Sequence, residues 1–149
     1  MAISDIDILK DGGGTWTNWL GAAQVPDAVH QTYGTERSNI LKCFENSGKD
    51  MKSFGGTDLL EQSDKLAATM FFEKLAEFGI FVVSRGEVEQ WLPALQVVGK
   101  KTAWAVAMLE RLGSDPIDPT YVRPASDDVW AFMREIVKWV KNPARRGMI

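Results

Sequence analysis

The sequence predicts an α/β fold with few parallel strands and a majority of helix. Ala2 to Leu9 (AISDIDIL) sets Ile3 against Ser4, and Ile6 and Ile8 against Asp5 and Asp7, the period-two pattern of a short strand. Ile80-Phe81-Val82-Val83 is apolar on both faces and follows directly on a long helical stretch closed by Gly79. A strand apolar on both faces and entered straight from a helix belongs inside a parallel sheet covered by helices. Helical spacing of apolar residues accounts for most of what remains.

Between the two strands, the glycines at 12–14 end the first strand, and Thr15 caps a short helix through Ala23 that carries Trp16, Trp19 and Leu20. Thr35 caps a second helix, with Ile40, Leu41 and Phe44 at helical spacing. Residues 46–57 (NSGKDMKSFGGT) are polar and glycine-rich, the composition of a loop. Asp58 opens the longest helix, which runs to about Phe78. Its expected inner face is Leu59, Ser63, Leu66, Met70, Leu75 and Phe78, widened by Phe71 and Phe72.

Beyond the second strand, Arg85-Gly86-Glu87 makes a turn and Val88 to Leu95 a short helical segment. Lys100 to Leu112 reads as a helix with Ala103, Ala107 and Leu112 inward, ended by Gly113. A proline-rich link leads to a last helix that Asp127 caps, with Val129, Met133, Ile136, Val137 and Val140 expected inward. Neither repeats nor low-complexity tracts interrupt the chain, so residues 1–149 read as one domain.

Composition bounds the function. Of 149 residues, 45% are hydrophobic and 25% charged, enough to build a core with a charged surface. One cysteine (Cys43) excludes an internal disulfide, and one histidine (His30) leaves no Cys/His set for structural zinc. Such usage fits a reducing cytoplasmic compartment, and no apolar run approaches the ~20 residues of a membrane-spanning helix. A net charge of −3 argues against a surface that grips nucleic acid everywhere. Lys138, Lys141, Arg145 and Arg146 make a local basic patch, read either as a solubilising terminus or as an anion contact. Cys43 reads as core, His30 as surface, and the glycines at 12–14 lack the Lys-Ser/Thr of a phosphate-binding loop.

Three groups of residues carry the chemistry. Asp5 and Asp7, at i and i+2 of a strand, face the same way and repel unless a cation lies between them, for which hard Mg²⁺ is suited. Glu87 and Glu89 leave the carboxyl end of the second strand; on the same sheet rim they would add ligands for a second metal, and otherwise they serve as helix-start acids. Lys100 and Lys101 open a helix, where a cation gains purpose if it faces a phosphate or the carboxylates.

In order along the chain, these segments resemble the TOPRIM region of the OLD-family nucleases, which are found behind ABC-type ATPase modules. ISDIDILKD (3–11) resembles that family's DxD strand, GIFVVSRGEVEQWL (79–92) its later strand and acidic motif, and GKKTAWAVAMLERL (99–112) its lysine-bearing helix. The resemblance implies cleavage of DNA dependent on Mg²⁺ or Mn²⁺, with Asp5 and Asp7 as metal ligands. It also implies Glu87 or Glu89 at a second metal and Lys100 or Lys101 as the electrostatic lysine. An ATPase module, on the same or another chain, is the implied partner. That family's first strand, with its catalytic glutamate, has no counterpart ahead of Ala2. The resemblance therefore implies a truncated sheet, an incomplete site and an open edge suited to self-association. The competing reading is a non-catalytic interaction or remnant domain whose acids are surface charges. A third is an unrelated helical fold in which residues 80–83 form buried helix.

Overall fold

The computed structural model describes residues 1–147. Two strands, β1 (Ala2–Asp5) and β2 (Ile80–Val83), pair in parallel with Asp5 opposite Val83. Five α-helices surround them: α1 (Gly13–Ala22), α2 (Asp27–Asn46), α3 (Gln62–Glu77), α4 (Lys101–Leu112) and α5 (Asp128–Lys141). The expected mixed α/β architecture, mostly helical, is therefore present, and residues 80–83 are strand, not helix. All four are buried, as a strand covered on both faces requires.

The first strand is shorter than its alternation suggests. It stops at Asp5, and Ile6–Lys10 winds as a 3₁₀ turn. Asp5 causes the change: its carboxylate accepts the Asp7 N–H at 3.2 Å, an Asx-type cap that draws the backbone out of the ladder. The turn also lets Ile6, Ile8 and Leu9 all reach the core, which strict alternation forbids for the adjacent pair Ile8 and Leu9.

Helix limits shift for similar local reasons. Gly12 is the N-cap of α1, so Thr15 lies inside that helix. α2 begins just after Pro26 and is the longest helix at 20 residues. It runs through Thr35, whose hydroxyl donates to the Gln31 carbonyl and so does not cap. Asp58 sits in a 3₁₀ turn (Gly56–Leu59), and α3 starts later, at Gln62. The Val88–Leu95 segment holds two short 3₁₀ turns. Asp127 is the N-cap of α5 without a side-chain bond; the Asp128 carboxylate instead accepts the Val129 and Leu92 N–H groups.

The core lies under α2, α3 and the sheet, with Phe44, Phe71, Leu75, Ile80, Ile6 and Leu20 fully buried. Burial of each such side chain contributes about 1.5–3 kcal/mol. Large rings choose the inner faces. α3 turns Ala68, Phe71, Phe72 and Leu75 inward and leaves Leu66 and Met70 exposed, because Phe71 meets Trp16 and Tyr33 at ring-centroid distances of 6.2 and 5.9 Å. α5 turns Phe132, Ile136 and Trp139 inward, and Met133, Val137 and Val140 stay exposed. Phe132 and Trp139 both meet the ring of Phe81 edge-on. α4 buries Trp104 and Met108 in place of the expected Ala103 and Ala107.

Candidate metal centre at the carboxyl end of the first strand

Asp5 and Asp7 do come together, though for a reason other than strand geometry. Asp5 ends β1, Asp7 lies on the following 3₁₀ turn, and the cap between them brings their carboxylates to a common cation. That cation is Lys52. Its Nζ lies 2.9 Å from Asp5 Oδ2 and 3.2 Å from Asp7 Oδ2. Lys10 Nζ stands 2.8 Å from Asp7 Oδ1 and 3.7 Å from Asp50 Oδ2. Asp7 Oδ1 is buried, and the Lys10 ammonium is its charge partner.

Electrostatics follow from this arrangement. Burial alone pushes the Asp7 carboxyl up, but the nearby Lys10 and Lys52 ammonium groups outweigh it and hold the group below the usual carboxylate value. Lys52 is raised well above an ordinary lysine by its contacts with Asp5 and Asp7, and Lys10 is raised by Asp7. The backbone N–H groups of Lys52 and Ser53 donate to Asp50 Oδ1, which helps to lower the Asp50 carboxyl.

Lys52 also ties this corner to the turn after β2. Its carbonyl accepts the Glu87 N–H at 3.2 Å. Gly86 makes the approach possible: its φ is +94°, and a Cβ there would collide with the Lys52 carbonyl. Glu89 points elsewhere. Its Oε1 accepts the Lys101 N–H at 2.6 Å, at the start of α4. Lys100 is the exposed N-cap of that helix, and Lys101 carries a φ of +52°. Among the described residues, no three His, Cys, Asp or Glu side chains gather where they could hold one metal ion. The structure thus unites Asp5 with Asp7, and Glu89 with the Lys101 backbone, as two separate groups.

A divalent cation at the first group would meet carboxylates that Lys52 and Lys10 already pair. Mg²⁺ commonly binds through one or two carboxylates while keeping its waters, and two carboxylates are the donors present here. Sequence reasoning missed Lys52, Lys10 and Asp50. Lys52 stands 45 residues from Asp7 in a segment that reads only as polar loop.

The other polar candidates fall outside this corner. His30 is half-buried, with Nε2 2.8 Å from the Val25 carbonyl. Cys43, expected in the core, is only partly buried, and its thiol donates to the Asn39 carbonyl. A groove of about 1150 Å³ between α3, β2 and α5 includes Phe81, Trp91, Phe132 and Trp139. Its rim carries Lys65–Asp58, Arg85–Asp58, Lys138–Glu135 and Arg146–Glu77 ion pairs. Paired charges of this kind make no one-sided field for a phosphate chain. Arg145, from the basic tail, stacks over the Trp139 ring at 5.6 Å.

Comparison with protein-family models, with characterised proteins and with solved structures finds no match to this chain. Among the described residues, no helix is long and apolar enough to cross a membrane.

Proposed function

We propose that the chain is the acid-bearing portion of a metal-dependent DNA-cleaving module similar to the TOPRIM region of OLD-family nucleases. The observation that carries this reading is the convergence of Asp5 and Asp7 at the carboxyl end of a parallel strand, the rim where open α/β sheets take their ligands. Asp5 and Asp7 would hold one Mg²⁺ or Mn²⁺. When bound, the ion supplies Lewis-acid stabilisation of phosphate charge and lowers the pKa of a coordinated water. Asp5 has a second role in this chain, since its cap on Asp7 orients the neighbouring carboxylate. The Lys52–Glu87 bond keeps the turn after β2 against the same corner. Lys100 and Lys101, at the open end of α4, are the candidates for contact with the substrate phosphate. An ABC-type ATPase module, on the same or another chain, is the partner this reading requires.

One observation favours a second reading, a non-catalytic interaction domain. Lys52 and Lys10 already balance both aspartates, as in a structural ion-pair knot. Calorimetric titration of Mn²⁺ into the wild type and into the Asp5→Ala/Asp7→Ala variant separates the two. The metal reading expects binding that the double substitution abolishes. Identical heats from both proteins would leave only the ion-pair knot.

A further inference from the structure

We propose that the groove between α3, β2 and α5 binds an extended peptide segment of a partner protein, which adds to the outer edge of β2 as a third strand. The inference is independent of the aspartate corner, which lies at the end of β1.

The backbone phase of β2 carries it. The Ala2 N–H donates to the Gly79 carbonyl at 2.8 Å, and Ser4 stands opposite Val82. In a parallel ladder that phase turns the backbone of Phe81 and Val83 toward β1, and that of Val82 and Ser84 away from it. The Ser84 carbonyl accordingly accepts the Thr57 N–H on the outer side, at 2.8 Å. Val82, the next outward residue along that edge, lines the groove, and among the described residues nothing pairs with its N–H or carbonyl. Backbone groups left unpaired in a buried strand are costly, and a strand edge is a template for another backbone. An extended peptide supplies a donor and an acceptor at the spacing this edge needs, the mode known as strand addition.

The walls select what such a peptide carries. Side chains of an added strand alternate between its two faces. On one face they meet Phe132 and Trp139 of α5, whose rings stand edge-on to Phe81. On the other they meet Ala76 of α3 and Phe72, which shares the core with Val82. The rim charges are paired with one another, as Lys65 with Asp58 and Lys138 with Glu135, so they complement a segment without net charge. The volume of about 1150 Å³ exceeds the ~300–1000 Å³ of small-molecule sites and suits several residues of chain.

Panning of phage-displayed random heptapeptides against the full chain tests the proposal, with the affinity of selected peptides measured by fluorescence anisotropy. Enriched peptides are expected to be uncharged and apolar at alternate positions. N-methylation of single peptide amides should weaken binding about tenfold at every second residue and leave the others unchanged, since an added strand pairs only alternate N–H groups with its neighbour. Ala131→Trp, which fills the groove from α5, should abolish binding, and Thr69→Trp does the same from α3 should the first variant fold poorly. In the wild type, exchange of the Val82 amide should slow several-fold when a selected peptide is added. Failure to enrich any peptide, N-methyl effects without a period of two, binding indifferent to both groove substitutions, or a Val82 amide unmoved by bound peptide would overturn the proposal. A dimer of the free chain in sedimentation, dissolved by Ala131→Trp, would give the groove to a second copy and overturn it as well.

Discussion

The carbonyl of Lys52 accepts the backbone N–H of Glu87 at 3.2 Å, so one residue joins the aspartate corner by its side chain and the turn after β2 by its backbone. The join depends on Gly86, whose positive φ and missing Cβ admit the Lys52 carbonyl. Gly86→Ala is expected to lose about 1–3 kcal/mol, combining left-handed strain with a backbone collision. Gly48→Ala, also at positive φ but facing open space, should lose only the conformational share, about 1 kcal/mol. Urea unfolding of the two variants measures the difference.

The inner face of α5 gives a second prediction. Ile136→Ala should cost about 2–3 kcal/mol, because Ile136 is 6% exposed. Met133→Ala and Val137→Ala, at 46% and 45% exposure, should each cost less than about 1 kcal/mol. Thermal denaturation of the three variants distinguishes this face from the one expected by hydrophobic spacing alone.

That contrast shows what was legible in the sequence and what was not. Ile80–Val83 was readable as a buried strand because it is apolar on both faces and its helix ends at a glycine. The faces of α3 and α5 were harder, since apolar residues run around more than half of α3, and the apolar half of α5 is wide enough to hold both Met133 and Trp139. Spacing cannot rank Met133 against Trp139, whereas the structure does so through the Phe81 ring and the bond from Trp139 Nε1 to the Glu77 carbonyl. Trp139 also lies over Gly79, where any Cβ would strike its ring. At the candidate site, Asp5 and Asp7 were visible as neighbours in sequence. Their counter-ion was not, because a lysine 45 residues away in a polar loop leaves no periodic trace.

Stability should depend on pH in two windows. Asp7 titrates below its ordinary value of 3.8 in the fold, so its contribution is present above that pH and is lost as pH falls through the lowered pKa. Lys52 and Lys10 are raised above 10.5, so theirs is complete below that pH and is lost as pH rises through the raised values. Tyr33 and Cys43, both raised mainly by burial, give the same alkaline sign. Comparison with Lys52→Met therefore isolates the lysine: its unfolding midpoint should fall less steeply above pH 10.5 than that of the wild type. Asp7→Asn should flatten the acid limb below pH 3.8. Each exposed contact contributes about 0.2–1 kcal/mol, so the slopes are modest and shrink in high salt.

The central claim is that Asp5 and Asp7 form a divalent-cation site, and paramagnetic broadening of amide NMR signals by substoichiometric Mn²⁺ tests it most directly. The account predicts that the amides of residues 5–8 and 52–53 broaden first, and that Asp5→Asn/Asp7→Asn removes the effect. Broadening centred elsewhere, or unchanged in the double variant, would contradict it.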